Sequence, residues 1–152
     1  MGLFDESFDT TDPTSGEQSP SAWIEEGTHY LVVHQHKYIE DSDTFVAELL
    51  VRESTYHVEG DTVSFIVSGQ KQPFRGAAEK NRAEIKRYVA VALGVDPDGV
   101  TTRVVKGTCT EEGRKSVQGR IVKCVAFKNK AGNYTHKKWS VPSEAELARL
   151  GF

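Results

Sequence analysis

Residues Gly119 to Pro142 read GRIVKCVAFKNKAGNYTHKKWSVP, with Arg120, Lys123, Lys128, Lys130, Lys137 and Lys138 and no Asp or Glu. Phe127, Tyr134 and Trp139 are interleaved with these cations. Cations that hold a phosphate backbone and rings that stack on bases are what a single-stranded nucleic-acid surface requires. Other chemistry has thinner support. Asp41/Asp43 and Asp96/Asp98 are paired carboxylates of the kind that hold a divalent metal for phosphodiester cleavage. Both pairs sit at turns, where Asp is common for local reasons. His34 and His36 share a strand face by alternation, without a nearby acidic or cysteine partner for a metal, and are read as polar positions touching phosphate or a base. Glu48 is a lone carboxylate, read as a structural or ion-pair residue, whereas acid–base catalysis wants a paired or tuned group. Cys109 and Cys124 form no metal spacing. No nucleophile triad and no phosphate-binding glycine loop is present. The expectation is no catalytic residue, no metal and no cofactor.

The cationic stretch needs a scaffold. Two apolar arms around Asn129 to Asn133 predict a β-hairpin with a loop of about five residues. Its first strand begins at Gly119-Arg120 and its second at Asn133 or Tyr134. Alternation puts Asn133, Thr135, Lys137 and Trp139 on one face and Tyr134, His136 and Lys138 on the other. Upstream, Tyr30–Ile39, Thr44–Arg52 and Thr62–Ser68 read as strands, with Asp41-Ser42-Asp43 and Gly60-Asp61 as turns. In QKQPFR, Pro73 breaks the third strand, and Lys71, Phe74 and Arg75 add two charges and a ring to a loop. Ala77 to Leu93 reads as a helix, with Ala78, Ile85, Tyr88, Val89, Ala92 and Leu93 as its apolar stripe and Gly94 as its stop. Lys80, Arg82, Lys86 and Arg87 lie largely outside that stripe, and Asn81 and Glu84 are expected at the surface. Val100 to Thr110 gives no clear pattern. Ser143-Glu144-Ala145-Glu146 matches a capping box and predicts a short helix through Leu150.

A chain of 152 residues with 38% hydrophobic composition suits one domain. No run approaches the roughly 18 apolar residues of a membrane span, no secretory segment is visible, and Glu6 departs from the myristoylation pattern that Gly2 begins. A reduced, cytoplasmic protein with no membrane partner is expected. Residues 1–30 hold seven acids and no Lys or Arg, leaving 15 acids against 19 bases, or +4, in the rest. Residues 1–22 read as an acidic, disordered tail whose Leu3, Phe4, Phe8 cluster could dock replication or recombination proteins or compete with DNA for the basic face, the plain alternative being a solubilising tail. Residues 23–152 form the folded domain, with Trp23-Ile24 packing onto its core.

The order strand, strand, strand, helix, strand, strand, short helix fits a mainly β architecture: an OB-fold, a five-stranded antiparallel barrel with a helix between strands 3 and 4. The chain resembles phage- and plasmid-type single-stranded DNA-binding proteins with an OB-fold. The resemblance is carried by FVAELLVRESTYHVEGDTVSF (Phe45 to Phe65), by the helix before LGVDPDG and by the Gly119–Pro142 stretch. It implies coating of single-stranded intermediates in replication or recombination. The chain departs from many cellular members in ending on ELARLGF rather than an acidic tail.

The expected function is therefore non-enzymatic single-stranded DNA binding, with RNA open. The expected contacts are Lys37, Tyr38, Lys71, Phe74, Arg75, Arg120, Lys123, Lys128, Lys130, Tyr134, Lys137, Lys138 and Trp139. The alternatives are an interaction or structural subunit that never touches nucleic acid, and a metal-dependent nuclease. Oligomeric state is open, a dimer being one option.

Overall fold

The computed structural model describes residues 21–68, 77–128, 130–131 and 135–152. Six strands form one sheet: β1 (Ser21–Trp23), β2 (Gly27–Ile39), β3 (Thr44–Ser54), β4 (Thr62–Ser68), β5 (Ile121–Lys128) and β6 (Thr135–Ser140). Among the described residues three α-helices accompany them: α1 (Ala77–Leu93), α2 (Thr102–Thr108) and α3 (Glu144–Leu150). The strand order is β1-β4-β3-β2-β5-β6, with β1 parallel to β4 and every other pair antiparallel. α1 matches its predicted bounds, and Val100–Thr110, which has no clear pattern in the sequence, contains α2.

The expected barrel is not there. The sheet is open, with β1 and β6 as its two edges and the 13-residue β2 at its centre, paired to β3 on one side and β5 on the other. A closed barrel abolishes its edges by pairing them, and here, among the described residues, β6 pairs only with β5. The OB-fold, and with it the resemblance to OB-fold single-stranded DNA-binding proteins, does not hold. Five antiparallel strands with inserted helices are present in a different architecture.

The core lies between one sheet face and α1. Phe45, Ala47, Leu49 and Val51 of β3 alternate with Val63, Phe65 and Val67 of β4 and Val122, Cys124 and Ala126 of β5 to build the apolar floor. α1 lays Tyr88, Val89 and Ala92 onto it at helical spacing. Tyr88 is fully buried, its ring 4.6 Å from Trp139, 5.2 Å from Phe65 and 6.1 Å from Phe45. Such tilted pairs each add about 0.5–1.5 kcal/mol beyond area burial. Ile24, just after β1, is buried in the same cluster, whereas its neighbour Trp23 is 55% exposed.

β2 changes which residues face this core along its length. Leu31 and Val33 point into it, but a register irregularity between Val33 and Gln35 makes His36 the next core residue. The shared outward face expected for His34 and His36 is therefore wrong: His34 is exposed and His36 is buried. One extra residue in a strand reverses the facing of all that follow. His36 is satisfied on both nitrogens, by Thr108 Oγ1 at 2.9 Å and Tyr88 OH at 2.7 Å.

α3 packs on the opposite sheet face. Ser143 caps it and Glu146 completes the box, as the sequence predicts. The Tyr30 hydroxyl donates to Glu146, Lys123 Nζ lies 2.8 Å from Glu146 Oε2, and Arg52 donates to the Leu150 carbonyl at 2.7 Å. Arg149 meets Glu53 at 2.5 Å. The hydrogen bonds from Lys123, the Ser143 backbone N–H and Tyr30 hold Glu146 down to about 2. Among the described residues no helix is long and apolar enough to cross a membrane.

Candidate nucleic-acid interface

The β5–β6 register sets the hairpin's two surfaces. Partners across an antiparallel pair share a face, so Cys124↔Trp139 and Ala126↔Lys137 lie toward α1, and Val125↔Lys138 and Phe127↔His136 lie away from it. Trp139 is 6% exposed and packed on Phe65 at 5.0 Å. It is a core residue and is not placed to stack on a base. Lys137 shares that inner face at the sheet edge, its ammonium 5.8 Å from the centre of the Phe65 ring. A lysine can do this because its stem covers apolar surface while its charge stays near water.

The outer face of the hairpin keeps the expected combination. Phe127 is 48% exposed and stacks on His136, with centroids 5.4 Å apart and planes 24° from parallel. Partial burial, then the charges of Lys80 and Lys137, hold His136 below the usual histidine range, so it presents a neutral ring at pH 7. Lys138 is exposed on the same face, two residues from His136, and Lys128 and Lys130 are exposed at the hairpin end, Lys128 on the opposite face by alternation. Glu26 approaches the hairpin end by accepting the Lys128 backbone N–H at 3.0 Å.

The other expected contacts are dispersed or committed elsewhere. Lys123 is engaged by Glu146 beneath α3. Arg120 is exposed and donates to the Leu93 carbonyl at 3.3 Å. Lys37 pairs with Glu48 at 2.8 Å, and Gln35 donates to the same carboxylate at 2.7 Å. Burial alone would raise the Glu48 pKa, but these two partners lower it overall, in keeping with an ion-pair role. Tyr38 donates its hydroxyl to Asp43 at 2.5 Å, and that bond pushes its pKa up to about 12. Lys37 and Tyr38 lie at the far end of β2 from the hairpin tip, since Gly27 pairs with Ala126. Ten residues of strand put them on the order of 30 Å away. Lys71, Phe74, Arg75, Tyr134 and the residue 1–20 part of the tail lie outside the described residues.

The carboxylate pairs have local duties. Asp96 accepts the Asp98 backbone N–H at 2.8 Å in its turn, and Asp43 holds Tyr38. Among the described residues no three His, Cys, Asp or Glu side chains gather as a metal site.

One signal was readable from composition. Residues 77–140 hold fourteen Lys and Arg against six Asp and Glu, and residues 1–76 hold four against fourteen. The basic portion builds α1, α2 and the β5–β6 hairpin, so its charge belongs to the helical layer and one sheet edge. A scan against protein-family models finds no match for the chain, and a search of curated proteins finds no significant match.

Proposed function

We propose that this protein binds single-stranded DNA, without catalysing a reaction on it, through the outer face and tip of the β5–β6 hairpin. The observation that carries this reading is the half-exposed Phe127–His136 stack, with exposed Lys138 on its face and exposed Lys128 and Lys130 at the hairpin end, in a segment with no carboxylate. The lysines supply a salt-dependent attraction that ignores sequence, and the stacked pair supplies a flat platform for a base. The positive balance of residues 77–140 extends the field that draws a polyanion toward that edge. The open sheet makes this an edge-bound mode rather than a groove-bound one.

The test is a titration of labelled single-stranded DNA, single-stranded RNA and duplex DNA at several salt concentrations. Each neutralised phosphate contributes about 0.7 to the log–log salt slope for single strands. Changing Lys128, Lys130 and Lys138 together to Gln is expected to flatten the slope by about 2. Phe127→Ala should weaken binding roughly 5- to 150-fold, the equivalent of about 1–3 kcal/mol of stacking, at unchanged slope. Absence of salt-dependent binding to any of the three nucleic acids refutes the reading.

That outcome would favour a protein-interaction role, which has its own observation. Trp23 (55%), Leu50 (38%) and Ile66 (36%) are exposed on the sheet face opposite α1.

A further inference from the structure

A second site lies at the other end of the sheet. A cavity of about 340 Å³ opens between the ends of β2, β3 and β4, the first half of α1 and the start of α2. Its apolar surface comes from Phe45, Val67, Ile85, Val100 and Val105. Phe45, Val67 and Val100 are buried and belong to the central core, so this wall is part of the packed interior. The volume lies in the range that accepts a small organic ligand.

The polar lining is lopsided in charge. Arg82 and Lys86 from α1 and Lys106 from α2 all line the cavity, against a single carboxylate, Asp43. Asp43 already accepts the Tyr38 hydroxyl at 2.5 Å. The Lys106 ammonium sits 4.7 Å from the centre of the Tyr38 ring, a contact that orients it without neutralising it. None of the three cations is salt-bridged among the described residues. Thr101, also in the lining, accepts the Val104 backbone N–H at 3.3 Å through its hydroxyl, leaving its own proton to donate.

From this juxtaposition of an aromatic and aliphatic wall with three cations, we infer that the cavity binds a small aromatic phosphate of mononucleotide size. The ring system replaces water against Phe45, Val67 and Ile85, and the phosphate meets Arg82, Lys86 and Lys106. The match is chemical on both sides: a neutral ring alone leaves the cations unanswered, and an inorganic anion alone leaves the apolar wall wet. This inference is independent of the hairpin, which lies at the opposite end of β2.

The test uses the full chain, labelled with ¹⁵N and titrated separately with AMP, TMP, phenyl phosphate, adenosine and inorganic phosphate. At least one of the three aromatic phosphates should bind below about 1 mM, about tenfold or more tighter than adenosine or phosphate. Its amide shifts should centre on residues 82–86 and 100–106. The Lys86→Glu, Lys106→Glu double variant changes exposed positions and should keep the fold by circular dichroism while weakening binding about tenfold or more. Ile85→Trp, which fills the cavity, should abolish binding, and the Lys128, Lys130 and Lys138 variant should leave it unchanged. The inference is overturned if no aromatic phosphate binds below about 1 mM, or if binding matches that of phosphate alone. It is equally overturned if the double charge reversal has no effect.

Discussion

His36 gives a quantitative test of the core. Its imidazole is 2% exposed, wedged between Tyr88 and Thr108. The Thr108 hydroxyl donates its one proton to the Val105 carbonyl at 2.7 Å, so toward His36 it can only accept. Nδ1 must therefore carry the ring proton, and Nε2 accepts from the Tyr88 hydroxyl. A second proton on Nε2 would turn the Tyr88 hydroxyl from donor to acceptor and place a charge in the apolar core. Burial accordingly lowers the His36 pKa from 6.5 to about 4. Above pH 6.5 the ring is neutral in both folded and unfolded chains. Between 6.5 and 4 the unfolded chain takes up a proton that the folded chain refuses, so stability falls as pH falls. The full interval amounts to about 3 kcal/mol. The assay is urea unfolding of wild type and His36→Gln from pH 7.5 to pH 4. Gln can donate to Thr108 and accept from Tyr88 but does not titrate. Contributions from His29 and His57, whose pKa values burial also lowers, are common to both proteins and cancel in the difference. Wild type should lose about 3 kcal/mol relative to the variant across that range. A pH-independent difference, or a His36 titration near 6.5 by NMR, would refute the reasoning.

Two further perturbations probe the packing. Glu84 is buried beneath α1 with Oε1 unpartnered, and burial raises its pKa against the opposing charges of Lys137, Arg87 and Lys80. A raised carboxylate favours the fold below its unfolded pKa and loses that contribution as pH rises, so Glu84→Gln should stabilise at pH 7 by about 1 kcal/mol. The gain should fade below the ordinary carboxylate range, and chemical denaturation at pH 7 and pH 4 reads it. Gly113 follows α2 so closely that an added Cβ would meet the Gly107 carbonyl oxygen at 1.8 Å. Gly113→Ala should destabilise by about 1–3 kcal/mol through the forced backbone shift, visible as a lowered Tm, whereas Gly99→Ala, with open space around it, serves as the control.

Local signals in the sequence proved readable where one element settles its own conformation. The stripe of α1, the box at Ser143 and Glu146 and the alternation of β4 each depend on neighbours a few residues away. Closure of the sheet does not. The same run of strand, strand, strand, helix, strand, strand suits a barrel or an open sheet, and the difference lies in which edges meet. The two faces of β6 were separable by alternation, but not which one is inner, because Lys137 and Trp139 share a face and pull the assignment in opposite directions. The sheet resolves it by placing the lysine at an edge, over Phe65. His36 eluded a simple period of two because the irregularity after Val33 reverses the strand. Glu84, expected at the surface, lies buried on α1 between the charges of Lys80 and Lys137. At the candidate interface, the cationic hairpin was visible as composition, while the pairing of Phe127 with His136 needed the register.

The central position of β2 has a consequence for how the chain reaches this state. β2, β3 and β4 form a meander from adjacent segments, and β5 and β6 are paired neighbours in the chain, so each unit can assemble from nearby residues. The seam between them joins Gly27 to Ala126 and Val32 to Ile121, partners about a hundred residues apart in the chain. Loop closure of that length is slow compared with hairpin formation. During synthesis one edge of β2 stays bare until β5 has been made. A long unpaired edge is a template for pairing with other chains. The Lys-rich hairpin is thus the piece that caps the nascent sheet, and aggregation during expression should be most sensitive to changes that delay its docking.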